Sequence, residues 1–319
     1  MRPPLTRVTK PLAVWALASL VGLCALPVTG WSQPKKKNPA SKLFVADVAG
    51  DAQIDTGDSV EDLSKRSVYT AQGTVIETKK PEADAERSAA YSTMVYSNGT
   101  GAFFDADTRV ELRNFVQEPF TPNRADVEVE PSISQTHAFV ARGAVGLCTS
   151  KMIAGSSMVY QTPHGSVNIR GRKIVIETDR EVTKISMLEG ESTVRAGSMD
   201  MGGHTVHVGE QAIIRPGAPG QPNIIQIAKI SERDMPKLDE KVSMACMAKK
   251  TVYFDVRDKS DGDASDGNGD GAVTAFDGDG NNVPIREIVP IQVVPSTIPV
   301  DLTMSPARRA IPPTRAPQG

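Results

Sequence analysis

The sequence predicts an all-β domain of stacked antiparallel hairpins, a sandwich or β-roll, with one short helix near residues 234–249. Three observations carry that expectation. From Leu43 to Pro216, short stretches rich in Val, Ile, Thr, Tyr and Phe are punctuated by Gly, Pro and Asn, the rhythm of strands and turns. Apolar and polar residues alternate at Val110 and Leu112, Val127 and Val129, Val167 and Ile169, and Val206 and Val208, which places those side chains on one face of a sheet. Arg109, Glu111, Glu128, Asn168 and His207 then point the other way. Helical periodicity is nearly absent from the same stretch.

The elements follow in chain order. Arg2, Arg7 and Lys10 precede an apolar run from Leu12 to Val28, and Pro27, Gly30 and Ser32 follow or end it. This is the layout of an export signal, residues 1–32, with cleavage expected before Trp31 or Gln33. A short uncleaved membrane anchor is the alternative, since about 17 apolar residues is the lower limit of a spanning helix. Lipid attachment at Cys24 is disfavoured by the bulky Leu23 before it. Residues 33–42, with Lys35, Lys36, Lys37 and Pro39, read as a polar linker. The β domain is expected over 43–257. Within it Asn98-Gly99 sits between strand-like Met94 to Tyr96 and Ala102 to Phe104, and predicts a type I′ hairpin turn. Asn98-Gly99-Thr100 also fits the glycosylation acceptor pattern, but the turn suffices to explain it. Gly190, Gly202-Gly203 and Gly209 are expected to close later hairpins. Phe103 and Phe104 are assigned to the core.

A helix is predicted from Asp234, as its cap, to about Lys249. Pro236 suits its first turn, and Leu238, Val242 and Ala245 share one face. A strand at Thr251 to Val256 closes the domain. Residues 258–283 are rich in Asp and Gly, and 284–319 in Pro, including Pro290, Pro295 and Pro299. That composition favours extended, unpaired backbone, with disorder expected after about Met304.

Lys and Arg total 36 against 38 Asp and Glu, for a net charge of −2. No global field steers such a chain onto nucleic acid or an anionic bilayer. Membrane contact is expected only through an uncleaved N-terminal segment. With the signal removed, Cys148 and Cys246 remain, either bridged or as two buried thiols. A bridge closing about 100 residues would contribute about 4–5 kcal/mol in the chain-entropy model.

The order Thr162-Pro163-His164-Gly165-Ser166-Val167-Asn168-Ile169-Arg170-Gly171, then Leu188-Glu189-Gly190-Glu191, then Gly209-Glu210, resembles the FecR domain of iron-siderophore signalling regulators. The resemblance is strongest over residues 158–216. Arg172 departs from the family's small hydroxyl residue after the central glycine. Only about ten residues precede Pro11, so the family's cytoplasmic sigma-binding role is not expected here. The resemblance implies a β module of the cell envelope used for binding or signalling, without catalysis. Its physical sense is that Pro163 and Gly165 turn the chain and that Gly171 permits close approach within a strand.

Three constellations bear on chemistry. Asp266, Asn268, Asp270, the Ala272 carbonyl, Thr274 and Asp277 have the donor spacing of a Ca²⁺ loop, with Gly271 at its turn, and resemble dockerin and EF-hand loops; a solvated acidic linker is the alternative. Arg170, Arg172 and Lys173 form a basic cluster that could take an anion or simply protect a sheet edge. His137, His164, His204 and His207 show no metal-ligand spacing, His204 and His207 being expected on opposite faces. No nucleophile elbow, phosphate loop or dinucleotide fingerprint occurs, so no catalytic residue is assigned.

The expected function is that of a non-enzymatic, exported module, periplasmic or secreted, that binds an envelope protein or glycan. A calcium-dependent adhesive protein and an envelope enzyme are the alternatives.

Overall fold

The computed structural model describes residues 40–80, 90–120, 128–258, 274–276, 282–284 and 286–293. Before the longest strand lie β1 (Lys42–Ala49), β2 (Ala52–Asp55), β3 (Val60–Asp62), β4 (Val68–Thr70), β5 (Val75–Thr78), β6 (Tyr91–Tyr96), β7 (Gly101–Phe104) and β8 (Thr108–Gln117). β9 (Ser134–Cys148) follows. Then come β10 (Ser157–Gln161), β11 (Ser166–Ile169), β12 (Lys173–Thr178), β13 (Thr183–Glu189), β14 (Ser192–Arg195), β15 (His204–Val206), β16 (Glu210–Arg215) and β17 (Ile224–Lys229). α1 (Met235–Lys249), β18 (Val252–Asp258), β19 (Thr274–Phe276), β20 (Asn282–Pro284) and β21 (Arg286–Gln292) complete the described elements.

Two sheets stack on a common core. The first runs β4-β1-β6-β7-β9-β12-β13-β16-β17 and is antiparallel throughout. The second runs β3-β2-β5-β8-β9-β10-β11-β14-β15, antiparallel except for the parallel pair β9-β10. β9 serves both: Ser134 to Arg142 pair in the second sheet and Gly143 to Cys148 in the first. From β10 on, hairpins alternate between sheets: β10-β11 in the second, β12-β13 in the first, β14-β15 in the second, β16-β17 in the first. The fold is all-β with one helix.

Between the sheets lie Leu43, Val45, Met94, Tyr96, Ile174 and Ile176 of the first and Ile54, Ile76, Val110, Leu112, Val167 and Ile169 of the second, all fully buried. The first sheet is covered on its other face as well. Val175 of β12 packs under Leu238 and Val242 of α1, and Phe103 and Cys148 under Ala245. Hence the run Ile174-Val175-Ile176 has no polar alternation. The β18-β21 ribbon covers the remainder, burying Val252, Phe254 and Ile288 against Phe44, Val95 and Phe120.

Several sequence expectations need correction. Gly99 has φ +83° while Asn98 keeps negative φ, so the β6-β7 turn is not type I′. Gly99 N donates to the Tyr96 carbonyl and Tyr96 N to the Thr100 carbonyl, the pattern of a three-residue loop ending in a left-handed glycine. Gly190 and Gly209 close no hairpin: each turns the chain from one sheet to the other. Gly171 lies in such a passage, between β11 and β12, rather than within a strand. Val208 is 60% exposed, because β15 ends at Val206 and His207 N then donates to Glu210 Oε2 in a turn. Val129 makes an isolated bridge with Lys151 rather than a full strand, and Val127 lies outside the described residues. Asp234 is the N-cap residue of α1, its carbonyl accepting from Leu238 N, but its carboxylate makes no capping bond and accepts from the Ser231 hydroxyl instead. The Pro-rich stretch is paired at its start, Pro290 standing opposite Phe254 in β21. Residues 1–39 and 294–319, with the export signal and the tail beyond Met304, lie outside the described residues. Among the described residues, no helix is long and apolar enough to cross a membrane.

Candidate binding face and adjoining cleft

Helix and ribbon cover the outside of the first sheet, but among the described residues no element covers the outside of the second across its nine strands. The strand registers lay its outward side chains in rows. One row is Thr205, Thr193, Asn168, Val159, His137 and Asn114. Its neighbour is Arg195, Ser166, Gln161, Phe139, Glu111, Val75 and Asp55. All are exposed or half-buried, whereas the intervening Val194, Val167, Tyr160, Ala138 and Val110 face the core. Arg113 lies over the Phe139 ring, 4.4 Å from its centroid, and donates to Glu111 Oε2 at 3.1 Å and Gln161 Oε1 at 3.2 Å. The surface thus offers donors and acceptors of both kinds, fixed on rigid strands.

One corner of this face is a charged network. Glu77 accepts from Arg109 and Arg142, each at 2.5 Å, and Arg142 Nε donates to Asp107 Oδ1 at 2.9 Å. Burial raises the Glu77 pKa, but the two arginines outweigh it and hold the carboxyl below its usual range. The network borders a cleft of about 870 Å³ lined by Arg142, Gly143, Pro163, Thr178, Asp179 and Arg180, among others. The cleft exists because β9 changes sheets there. Gly143, φ +91°, allows the bend, and a Cβ on it would collide with Thr108. Behind Pro163, buried His164 places Nδ1 2.9 Å from Thr183 Oγ1, which also bonds Thr178 and Thr162. These hydroxyls are mutually satisfied and fully or nearly buried, so they brace the cleft floor.

The candidates from sequence fall as follows. Arg172 pairs with Glu128, and Lys173 Nζ lies 3.0 Å from Glu189 Oε2. Two of the three cations of the proposed anion cluster are therefore tied to carboxylates, and Arg170 stays exposed beside them. Lys173, as the main hydrogen-bond donor, and Arg172 hold the Glu189 carboxyl below its ordinary pKa. Asp266, Asn268, Asp270, Ala272 and Asp277 lie outside the described residues; the backbone of Thr274 opens β19, paired with β20. No cluster of metal-ligating side chains occurs among the described residues. Cys148 of β9 and Cys246 of α1 are joined by a disulfide, with Cα atoms 5.1 Å apart. Asn98 is 1% exposed, with its amide donating to Ser134 Oγ, which removes it as a glycan acceptor. His204 and His207 pair separately, with Asp200 and Glu191.

Two features escaped the sequence reading. Glu130, expected on no site, is 4% exposed and accepts from the Ser134 hydroxyl and Ile153 N. Burial pushes its carboxyl above the ordinary range against the pull of those hydrogen bonds. Tyr96 and Tyr160, one from each sheet, meet hydroxyl to hydroxyl at 3.1 Å in the core, and burial raises both phenols.

No protein-family model matches the chain, and no curated protein matches it. The FecR resemblance therefore rests on the motif over 158–216, which the fold lays out as β10 to β16. Among solved structures, two crystal structures of a "putative anti-sigma factor" from Parabacteroides distasonis are similar, with TM-scores of 0.36 and 0.34 and 12% identity. Each alignment covers 51% of this chain and 62% of the other, so the chain spans less than two thirds of that protein's length. The all-β assignment rests on the strand pairings themselves.

Proposed function

We propose that the protein is a non-catalytic, exported module that recognises an envelope protein or glycan through the outer face of its second sheet. The observation that carries this reading is the asymmetry of the sandwich. One sheet spends its outer face on helix, ribbon and disulfide, while the other leaves two registered rows of mostly polar side chains uncovered among the described residues. A planar array of amide, hydroxyl and guanidinium groups on strands loses little conformational freedom when a polar partner docks. The Cys148–Cys246 bond supports the export part of the proposal, since disulfides persist in oxidising compartments. The Ca²⁺ loop at 266–277 is proposed on its donor spacing alone and is tested by calorimetric titration of Ca²⁺ into the full chain and its Asp270→Ala variant.

The test of the main reading has two arms, capture of proteins from an envelope extract and retention on purified cell-wall glycan. Saturable retention in one arm names the partner class. Failure in both, or turnover of a glycan or peptide substrate that one polar substitution abolishes, would overturn the reading.

A further inference from the structure

The four edges of the sandwich are built differently. β3, β4 and β15 are each three residues long, and β3 carries Glu61 and Asp62. Short, charged edges resist pairing with another chain. β17 is six residues long and pairs with β16 in unbroken register from Glu210↔Lys229 to Arg215↔Ile224. Among the described residues it pairs on that side alone. It has no proline and no bulge, and its sole charge is Lys229, at its last position. Ile224 is 63% exposed and Ile227 36%. The loop before β15 adds Met199 at 63% and Met201 at 83%, and its Gly197 lies against Asn223, the residue preceding β17. The protections present at three edges are missing at the fourth.

We propose that β17 pairs antiparallel with β17 of a second copy of this chain, joining two first sheets across a two-fold axis. The strand is complementary to itself. With the axis at Gln226, Ile225 stands opposite the other copy's Ile227, Ile224 opposite Ala228, and Lys229 opposite Asn223. The two Lys229 side chains then lie about 20 Å apart, at about 3.4 Å per residue. A parallel pair would set them side by side, which like charges disfavour. One six-residue strand pair is at the small end of specific interfaces, so a dissociation constant on the order of micromolar follows. The edge belongs to the first sheet, so this dimer leaves the bare face of the second free.

The axis gives a specific test. Sedimentation equilibrium on the full chain, up to about 0.5 mM, should show a reversible dimer. Gln226→Lys and Gln226→Glu each set like charges opposite each other at the axis and should weaken it at least about tenfold. An equimolar mixture of the two variants should restore it as a heterodimer. Gln226 is exposed, so both variants keep the fold, which circular dichroism checks. A wild-type monomer at all concentrations, a dimer indifferent to both substitutions, or no restoration in the mixture would each overturn the proposal.

Discussion

A Cβ placed on Gly146 of β9 would lie 2.8 Å from the Lys241 carbonyl oxygen of α1. On the adjacent strand, a Cβ on Gly101 would meet the Ala245 carbonyl oxygen more closely still. Helix and sheet therefore touch backbone to backbone, and two glycines on paired strands form the groove that seats α1. Gly101→Ala and Gly146→Ala should each cost about 1–3 kcal/mol by lifting the helix. Gly202→Ala, where nothing lies within 4 Å, should be close to neutral. Denaturant unfolding of the three variants distinguishes the seat from a general cost of replacing glycine.

The same helix is bound covalently through Cys246 to Cys148. Because the closed loop spans nearly the whole second half of the domain, reduction should lower stability by up to about 4–5 kcal/mol. Thermal unfolding with and without reductant reads this, and the Cys148→Ser, Cys246→Ser double variant should be insensitive to reductant. An unchanged melting temperature on reduction of the wild type would count against the bond.

Lys241 adds a charged clamp. Its ammonium lies 2.5 Å from Asp105 Oδ2 and 3.3 Å from Glu177 Oε1. Burial lowers its pKa, yet the two carboxylates outweigh this and raise it. Lys241→Met should destabilise by about 1.5–3 kcal/mol, since it leaves two half-buried carboxylates without their shared cation. Lys241→Met combined with Asp105→Asn should recover part of that loss.

Glu130 sets a pH dependence of opposite sign to the usual one. Its folded pKa is raised above the ordinary 4.5, so between those two values the folded state holds more protons than the unfolded state. Stability from this site is then greatest at low pH and is lost as pH rises through that window. Glu77 and Glu189, whose values are lowered, lose their contribution as pH falls instead. The difference between wild type and Glu130→Gln, followed by chemical unfolding across pH 4 to 8, isolates the Glu130 part: the wild type should lose stability relative to the variant as pH rises.

Where one face of a strand meets water, the sequence was readable. Val110 and Leu112, or Val167 and Ile169, alternate with polar residues because their strands belong to the bare second sheet. Leu238, Val242 and Ala245 were equally readable, as the apolar face of α1 with a sheet beneath it. What was hidden is the sheet each strand joins. Gly190 and Gly203 both adopt positive φ, but the first passes the chain between sheets and the second serves the β14-β15 hairpin. A left-handed glycine satisfies either turn. The rows of the candidate face were hidden for a related reason. Asn168, Val159 and His137 are neighbours only through pairings between distant segments, one of them parallel. The pairing of the basic cluster was hidden because Glu128, the partner of Arg172, lies 44 positions away.

The central claim is that recognition belongs to the bare face of the second sheet. Its most direct test compares two pairs of substitutions in one capture assay on envelope protein and cell-wall glycan. Asn168→Trp with Gln161→Trp alters adjoining rows of the bare face; Asp239→Trp with Glu240→Trp alters exposed positions of α1. The first pair should abolish capture with the melting temperature unchanged, and the second should leave capture intact. Capture that survives the first pair and is lost with the second would contradict the account.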